Sequence, residues 1–277
     1  MLKIINDGLQ LITGRRLTKV NNKKDKVAVA GIEEAYLYFD DVLSLRNRLS
    51  HTESTDLAQF QRYVALNFAD STSQLFQDLW VLWELRDKRN GYFVEFGAYD
   101  GLELSNTYPL EKFNGWKGLL AEPNIDRHSQ ISASRTATLD KRCVFRESGQ
   151  YVDFSISNQS EFSTISQFET GDSHHLTRAG AQRRRIETVS LDDLLLQNEA
   201  PQIIDYMSID TEGSELEILS SFSWKTHIRL ITVEHNYTVQ QLPIDSLLQS
   251  KGYVKRLPSV SRWDGWYIHS DDYLPHE

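Results

Sequence analysis

"GYFVEFGAYDGLELSNT" (residues 91–107) runs from an apolar segment into a loop holding two glycines, two acids and an asparagine. The five residues YFVEF (92–96) have the length and the aromatic and β-branched content of a strand. Gly97 and Gly101 admit backbone conformations closed to other residues and let the chain come close to a ligand. Their spacing is G-x-x-x-G, whereas a dinucleotide fold uses G-x-G-x-x-G to cradle a pyrophosphate.

Working outward, "SQLFQDLWVLWEL" (73–85) predicts a helix that reaches the strand through the turn-like "DKRNG". Strand-sized apolar runs recur at 117–121, 143–145, 186–189, 203–209 and 228–234, with helical segments between them. This alternation predicts a parallel sheet covered by helices on both faces. "GYVKRL" and "WDGWYIH" read as two further strands, close enough in sequence that their pairing must be antiparallel. By analogy of architecture, a largely parallel sheet that ends in an antiparallel pair resembles that of class I methyltransferases, so the expectation is an α/β, Rossmann-like protein with a mostly parallel seven-stranded sheet.

Residues 1–72 look helical and form an extension, a cap or a dimerisation element ahead of a domain over 73–277. Leu2, Ile5, Leu9 and Ile12 fall on one helical stripe, 32–49 is amphipathic, and Leu57, Phe60, Val64 and Phe68 repeat at helical spacing. Residues 158–185 are polar and aperiodic, include His174, His175 and the Arg183–Arg185 run, and read as a lid-like insertion.

The 277 residues carry a formal net charge of −9, with lysines and arginines scattered rather than gathered in a stripe, which disfavours nucleic acid as a partner. Cys143 is the single cysteine, so neither an intrachain disulfide nor a multi-thiolate zinc site is possible. That usage fits a reducing compartment, the cytoplasm. No stretch approaches the roughly 20 apolar residues of a membrane-spanning helix.

Ligands of an open α/β sheet sit beyond the C-terminal strand ends, where the opening loop is expected. Glu95 and Asp100 flank its glycines and would repel a pyrophosphate, but attract a ligand carrying an ammonium and a sulfonium. S-adenosylmethionine carries both. "GLLAEPN" ends a strand in Glu122, about 20 residues after the glycine loop, where such folds place an acid on ribose hydroxyls. "SIDTEGSELEIL" puts Asp210, Glu212 and Gly213 at a strand-to-helix turn, and "ITVEHN" ends the next strand in Glu234, His235 and Asn236.

Residues 73–124 and 186–236 resemble the FkbM family of S-adenosylmethionine-dependent methyltransferases, through "SQLFQD", "FVEFGAYDGLELSNTYPLEKFNGWKGLLAEPN", "VSLDDLL" and "IDYMSIDTEGSELEIL". The resemblance implies O-methylation, commonly of a sugar hydroxyl in a glycan or secondary metabolite. Carried over by position, Glu95, Gly97, Ala98, Asp100 and Gly101 border the methionine part, with Ser105, Asn106 and Thr107 beside it and Gln77 reaching the same end. Glu122 and Pro123 lie at the ribose, and the adenine falls near Arg146 to Ser148.

A sugar hydroxyl is a weak nucleophile and needs its proton removed, so His235 is the leading candidate base, with Asp210 or Glu212 orienting it or acting instead. His174, His175 and Asn236 are candidate acceptor contacts. A divalent metal is not favoured, though Asp210, Glu234 and Asn236 offer oxygen ligands for one. The partners expected are a small-molecule or glycan acceptor and a second copy of the chain through the N-terminal helices. Two other classes use a similar sheet: an NAD-dependent oxidoreductase, and a non-catalytic binding module.

Overall fold

A computed structural model describes residues 56–156, 164–165 and 182–276. The chain divides into two compact units, Met1–Arg62 and Tyr63–Glu277. The helices expected before residue 56, the dimerisation element, His174, His175 and most of the 158–185 insertion lie outside the described residues.

Helix α1 (Asp56–Asn67) buries Phe60 and Val64, one turn apart, whereas Phe68 falls in a following 3₁₀ turn and is exposed. Helix α2 (Gln77–Glu84) is buried along its whole length. It starts four residues later than its apolar pattern predicts, because Phe76 takes a left-handed conformation and Ser73 bridges to Leu104. Next come β1 (Tyr92–Phe96), α3 (Tyr108–Asn114), β2 (Lys117–Ala121), α4 (His128–Ser134) and β3 (Thr138–Asp140). Pro109 in the first turn and left-handed Gly115 at the end bracket α3. Four strands then build a second sheet: β4 (Cys143–Phe145), β5 (Tyr151–Ile156), β6 (Thr164–Ile165) and β7 (Gln182–Ser190). Ser190 caps α5 (Leu191–Gln197) by accepting from the Asp193 amide at 3.2 Å. The rest is β8 (Ile203–Ile209), α6 (Glu215–Ser221), β9 (His227–Glu234), α7 (Gln241–Ser250), β10 (Tyr253–Arg256) and β11 (Asp264–His269).

The main sheet has seven strands in the order β10-β11-β9-β8-β1-β2-β3, all parallel except β11, which is antiparallel to both neighbours. The expected fold is therefore present, with the antiparallel pair at its end. Two expected strands belong elsewhere, however. Residues 143–145 and 186–189 lie in the four-stranded sheet β4-β7-β5-β6, and the seventh main-sheet strand is Thr138–Asp140. That strand is three residues long with a single apolar side chain, so it gives no periodic signal.

Strand alternation splits β1 between two faces. Val94 and Phe96 pack with Leu119, Met207, Ile209, Ile231 and Val233, whereas Phe93 and Glu95 point the other way. On the second face, Trp80 of α2 stacks on Trp266 of β11 at 5.3 Å, both fully buried. Each such side chain contributes about 1.5–3 kcal/mol by leaving water. Phe93 also fixes the neighbouring strand's composition: a Cβ on Gly118 would stand 2.3 Å from its ring. Gly118→Ala is expected to cost about 1–3 kcal/mol through overpacking, read by urea denaturation, and Phe93→Leu in the same chain is expected to restore part of it.

Candidate active site

Strand order reverses between β1 and β8, and a cavity of about 340 Å³ opens there beyond the C-terminal strand ends. Its floor follows the register of the sheet: Glu95 pairs with Ser208, Ser208 with Thr232, and Glu234 with Asp264. The small sheet supplies an apolar wall of Cys143, Val144, Phe154 and Ile165.

The loop after β1 is held from below. Glu95 accepts from the Asn106 amide at 2.9 Å, Thr107 Oγ1 at 2.7 Å and Ser105 Oγ at 3.1 Å, and pairs with the buried guanidinium of Arg135 at 3.5 Å. Arg135 also donates to the Gly101 carbonyl at 2.9 Å, to Thr107 Oγ1 at 2.7 Å and to Glu111 at 2.6 Å. Asp100 turns the loop by accepting from the Leu102 and Glu103 amides. Of the residues expected here, Glu95, Gly97, Ala98, Ser105 and Asn106 line the cavity, whereas Asp100, Gly101 and Thr107 lie outside its wall and shape the loop. Gly97 has φ +78°, and a Cβ on it would lie 1.7 Å from the Asp210 carbonyl oxygen, so no other residue fits.

Glu122 and Pro123 line the cavity as expected. The Glu122 carboxylate accepts from the Tyr99 amide at 3.0 Å and the Asn124 amide at 2.7 Å, and burial pushes its carboxyl up to about 7 against those bonds. Gln77 donates to Asp264 at 2.7 Å and accepts from the Leu75 amide. Burial also raises Asp264 to about 7. Asn106 donates through Nδ2 to Ser208 at 3.0 Å, leaving its buried Oδ1 without a hydrogen-bond partner at the cavity edge.

At the end of β8, Asp210 and Glu212 line the cavity with Glu234 of β9, and one oxygen from each lies within 4.8 Å of the others. Burial, then repulsion from Asp210 and Glu212, raises Glu234 well above the usual carboxylate range, and burial raises Asp210 to about 6 despite its hydrogen bond with Glu234, so the pair takes up a proton more readily than a free carboxylate. Glu215 supports the turn from inside, accepting from the amides of Thr211 and Gly213. These three oxygens are also what a hard divalent cation would take, with Glu212 in the place expected of Asn236. His235 and Asn236 lie outside the wall. The His235 Nδ1 accepts from the Tyr237 amide at 3.1 Å, and burial with nearby Lys255 holds the imidazole below its ordinary pKa, hence neutral. Arg146 and Ser148 are likewise absent from the wall: Arg146 pairs with Glu217, and Ser148 donates to Asp193.

Seven carboxyl residues line the cavity, Glu95, Glu103, Glu122, Asp210, Glu212, Glu234 and Asp264, and among the described residues no lysine, arginine or histidine does. Such a wall attracts a cation and repels a pyrophosphate. The methyltransferase FkbM domain family matches residues 95–255. The chain belongs to this family. Its chemistry is therefore S-adenosylmethionine-dependent methyl transfer. The cavity fits that cofactor on two counts, the acid wall for its sulfonium and ammonium and the orphaned Asn106 oxygen as an acceptor.

Solved structures with remote similarity to this FkbM-family chain include a human methyltransferase 10 domain containing protein, at 14% identity over 71% of this chain and 82% of that one, TM-score 0.34. A SAM-dependent methyltransferase from Aquifex aeolicus has 10% identity over 78% and 98%, TM-score 0.35. The METTL16 MTase domain has 14% identity over 83% and 90%, TM-score 0.39. No curated protein matches the chain.

Arg135 and Asp264 escaped the sequence reading of this methyltransferase. Arg135 sits in the polar stretch "SASRTAT", and Asp264 opens an edge-side strand, so neither carries a motif. Replacing Arg135 leaves Glu95 and Glu111 buried and unpaired. Arg135→Met is expected to destabilise by about 3–5 kcal/mol, measured as a lowered urea midpoint.

Proposed function

We propose that this methyltransferase O-methylates a hydroxyl of a neutral, polyhydroxylated acceptor, a sugar or glycan, and that residues 73–277 carry the reaction. The observation behind this reading is the Asp210–Glu234 carboxyl pair in the cavity wall. An alcohol must lose its proton as the new bond forms, and an ionised carboxylate in a proton-sharing pair is a suitable acceptor for it. The acid-rich wall, which lacks a cationic side chain among the described residues, also selects against anionic acceptors such as carboxylates and phosphates. It disfavours an NAD-dependent oxidoreductase for the same reason. The intact loops argue against a non-catalytic binding module, and the buried thiol of Cys143 suits the cytoplasm.

In this reading Glu122 holds the ribose hydroxyls with the second lone pairs of its two oxygens, beside Pro123. Asn106 Oδ1 takes the ammonium, with Glu95, Gly97, Ala98, Ser105 and Gln77 bordering the same end. Val144, Phe154 and Ile165 pack against the adenine. The cofactor supplies an electrophilic methyl group. The protein's own contribution is to align the acceptor oxygen and to accept its proton at the Asp210–Glu234 pair, a step that can be worth about 10²- to 10⁴-fold.

Cofactor binding requires ionised Glu122. Affinity for S-adenosylmethionine, measured by calorimetry, is expected to be full above pH 7 and to weaken by up to about tenfold per pH unit below it, as protons compete for this carboxylate. Glu122→Gln is expected to bind about 1.5–3 kcal/mol more weakly and with a flatter pH profile.

Turnover is followed as S-adenosylhomocysteine formation with neutral glycosides, amines and acidic sugars. Methyl ether formation on the neutral glycosides is expected; transfer to amines or acids alone would refute the proposal. Asp210→Asn is expected to lower kcat by about 10²- to 10⁴-fold, whereas His235→Ala retains most of it. The reverse pattern would return the base to His235.

A further inference from the structure

A second cluster lies at the opposite end of the main sheet. His227 begins β9, His269 ends the antiparallel β11, and Asp272 follows in a short 3₁₀ turn, so all three meet at the N-terminal edge of the parallel strands. The span of β9, eight residues or about 23 Å at strand rise, separates them from Glu234 and the cavity. His227 Nε2 stands 2.6 Å from Asp272 Oδ2, the two imidazole centroids are 4.7 Å apart at 75°, and one ligand atom from each of the three residues lies within 4.8 Å of the others.

We infer that His227, His269 and Asp272 form a binding site for a borderline divalent transition ion, zinc foremost. Two imidazoles and one carboxylate are a donor set that zinc accepts at about 2.0–2.2 Å per ligand, with water in the fourth position. Harder cations prefer all-oxygen sites such as the acid cluster at the other end. The carboxylate is already oriented, because Arg229 approaches the other oxygen, Asp272 Oδ1, at 3.5 Å and also reaches Asp205 at 3.4 Å. Supporting contacts of this kind are what hold a metal ligand in place. On His269, Nδ1 accepts from the Asp271 amide at 3.3 Å, which leaves Nε2 for the ion. Gly252 keeps that atom uncovered: a Cβ there would sit 3.1 Å from Nε2. The three side chains are 16–35% exposed, so water and an ion can reach them. A bound ion would tie the turn after β11 to the start of β9.

The test uses the full chain, stripped of metal and titrated with Co²⁺ as a spectroscopic probe and then with Zn²⁺. One equivalent of Co²⁺ is expected to give the visible bands of a four-coordinate nitrogen and oxygen site, to be displaced by Zn²⁺, and to raise the melting temperature. His269→Ala and His227→Ala are each expected to weaken binding at least about tenfold and to lose the spectrum. Affinity for S-adenosylmethionine should not respond to zinc. Two results would overturn the site: wild-type chain that gives only weak octahedral bands and no thermal shift, or binding that survives His269→Ala and His227→Ala. Should a variant lose its fold, far-ultraviolet circular dichroism identifies it, and the wild-type spectrum alone decides.

Discussion

The buried pair of Glu95 and Arg135 is the constraint on which the cavity rests. Glu95 stands on the central strand, one residue before β1 ends, and its carboxylate collects two hydroxyls and an amide from the loop that follows, together with a guanidinium. Arg135 reaches it from just beyond α4 and on the way fixes Gly101, Thr107 and Glu111. The loop is thus built around a charge that the ligand need not touch. A buried ion pair of this kind is weak as a source of net stability, because desolvation offsets most of the attraction. Its contribution is geometric: with so many bonds converging on one carboxylate, the loop has a single arrangement.

The cavity wall carries the opposite kind of electrostatics. Seven carboxyl groups face a common space without a cationic side chain among the described residues, and burial raises Glu122, Asp210, Glu234 and Asp264. An acid whose folded pKa lies above its unfolded value lowers stability once the pH rises through the window between the two, here from about 4 to 7. The ligand-free protein therefore holds its site at a cost near neutral pH. A cationic cofactor relieves that cost, which couples occupancy to stability.

Much of this was legible in the chain. Strands with four or more apolar residues and a turn behind them announced themselves, and the three polar clusters at Glu122, Asp210 and Glu234 do meet in one cavity. What the sequence hid has physical reasons. Thr138–Asp140 is too short for a period, so 143–145 was read as the main-sheet strand that it is not. Arg135 acts from the residue after a seven-residue helix, far in sequence from the carboxylate it serves. His235 sits beside Glu234 in the chain, but strand alternation sends neighbouring side chains to opposite faces, so adjacency at a strand end did not bring the imidazole to the wall.

The contact at Gly97 reaches beyond one residue's conformation. Its α-carbon lies against the Asp210 carbonyl so closely that the β1 loop and the β8 turn meet backbone to backbone. Side chains at such a junction could be traded for others of similar size; peptide groups cannot. The distance from the loop after β1 to the turn after β8 is consequently set by the main chain. The side chains of the surrounding walls can change in sequence while that span stays the same.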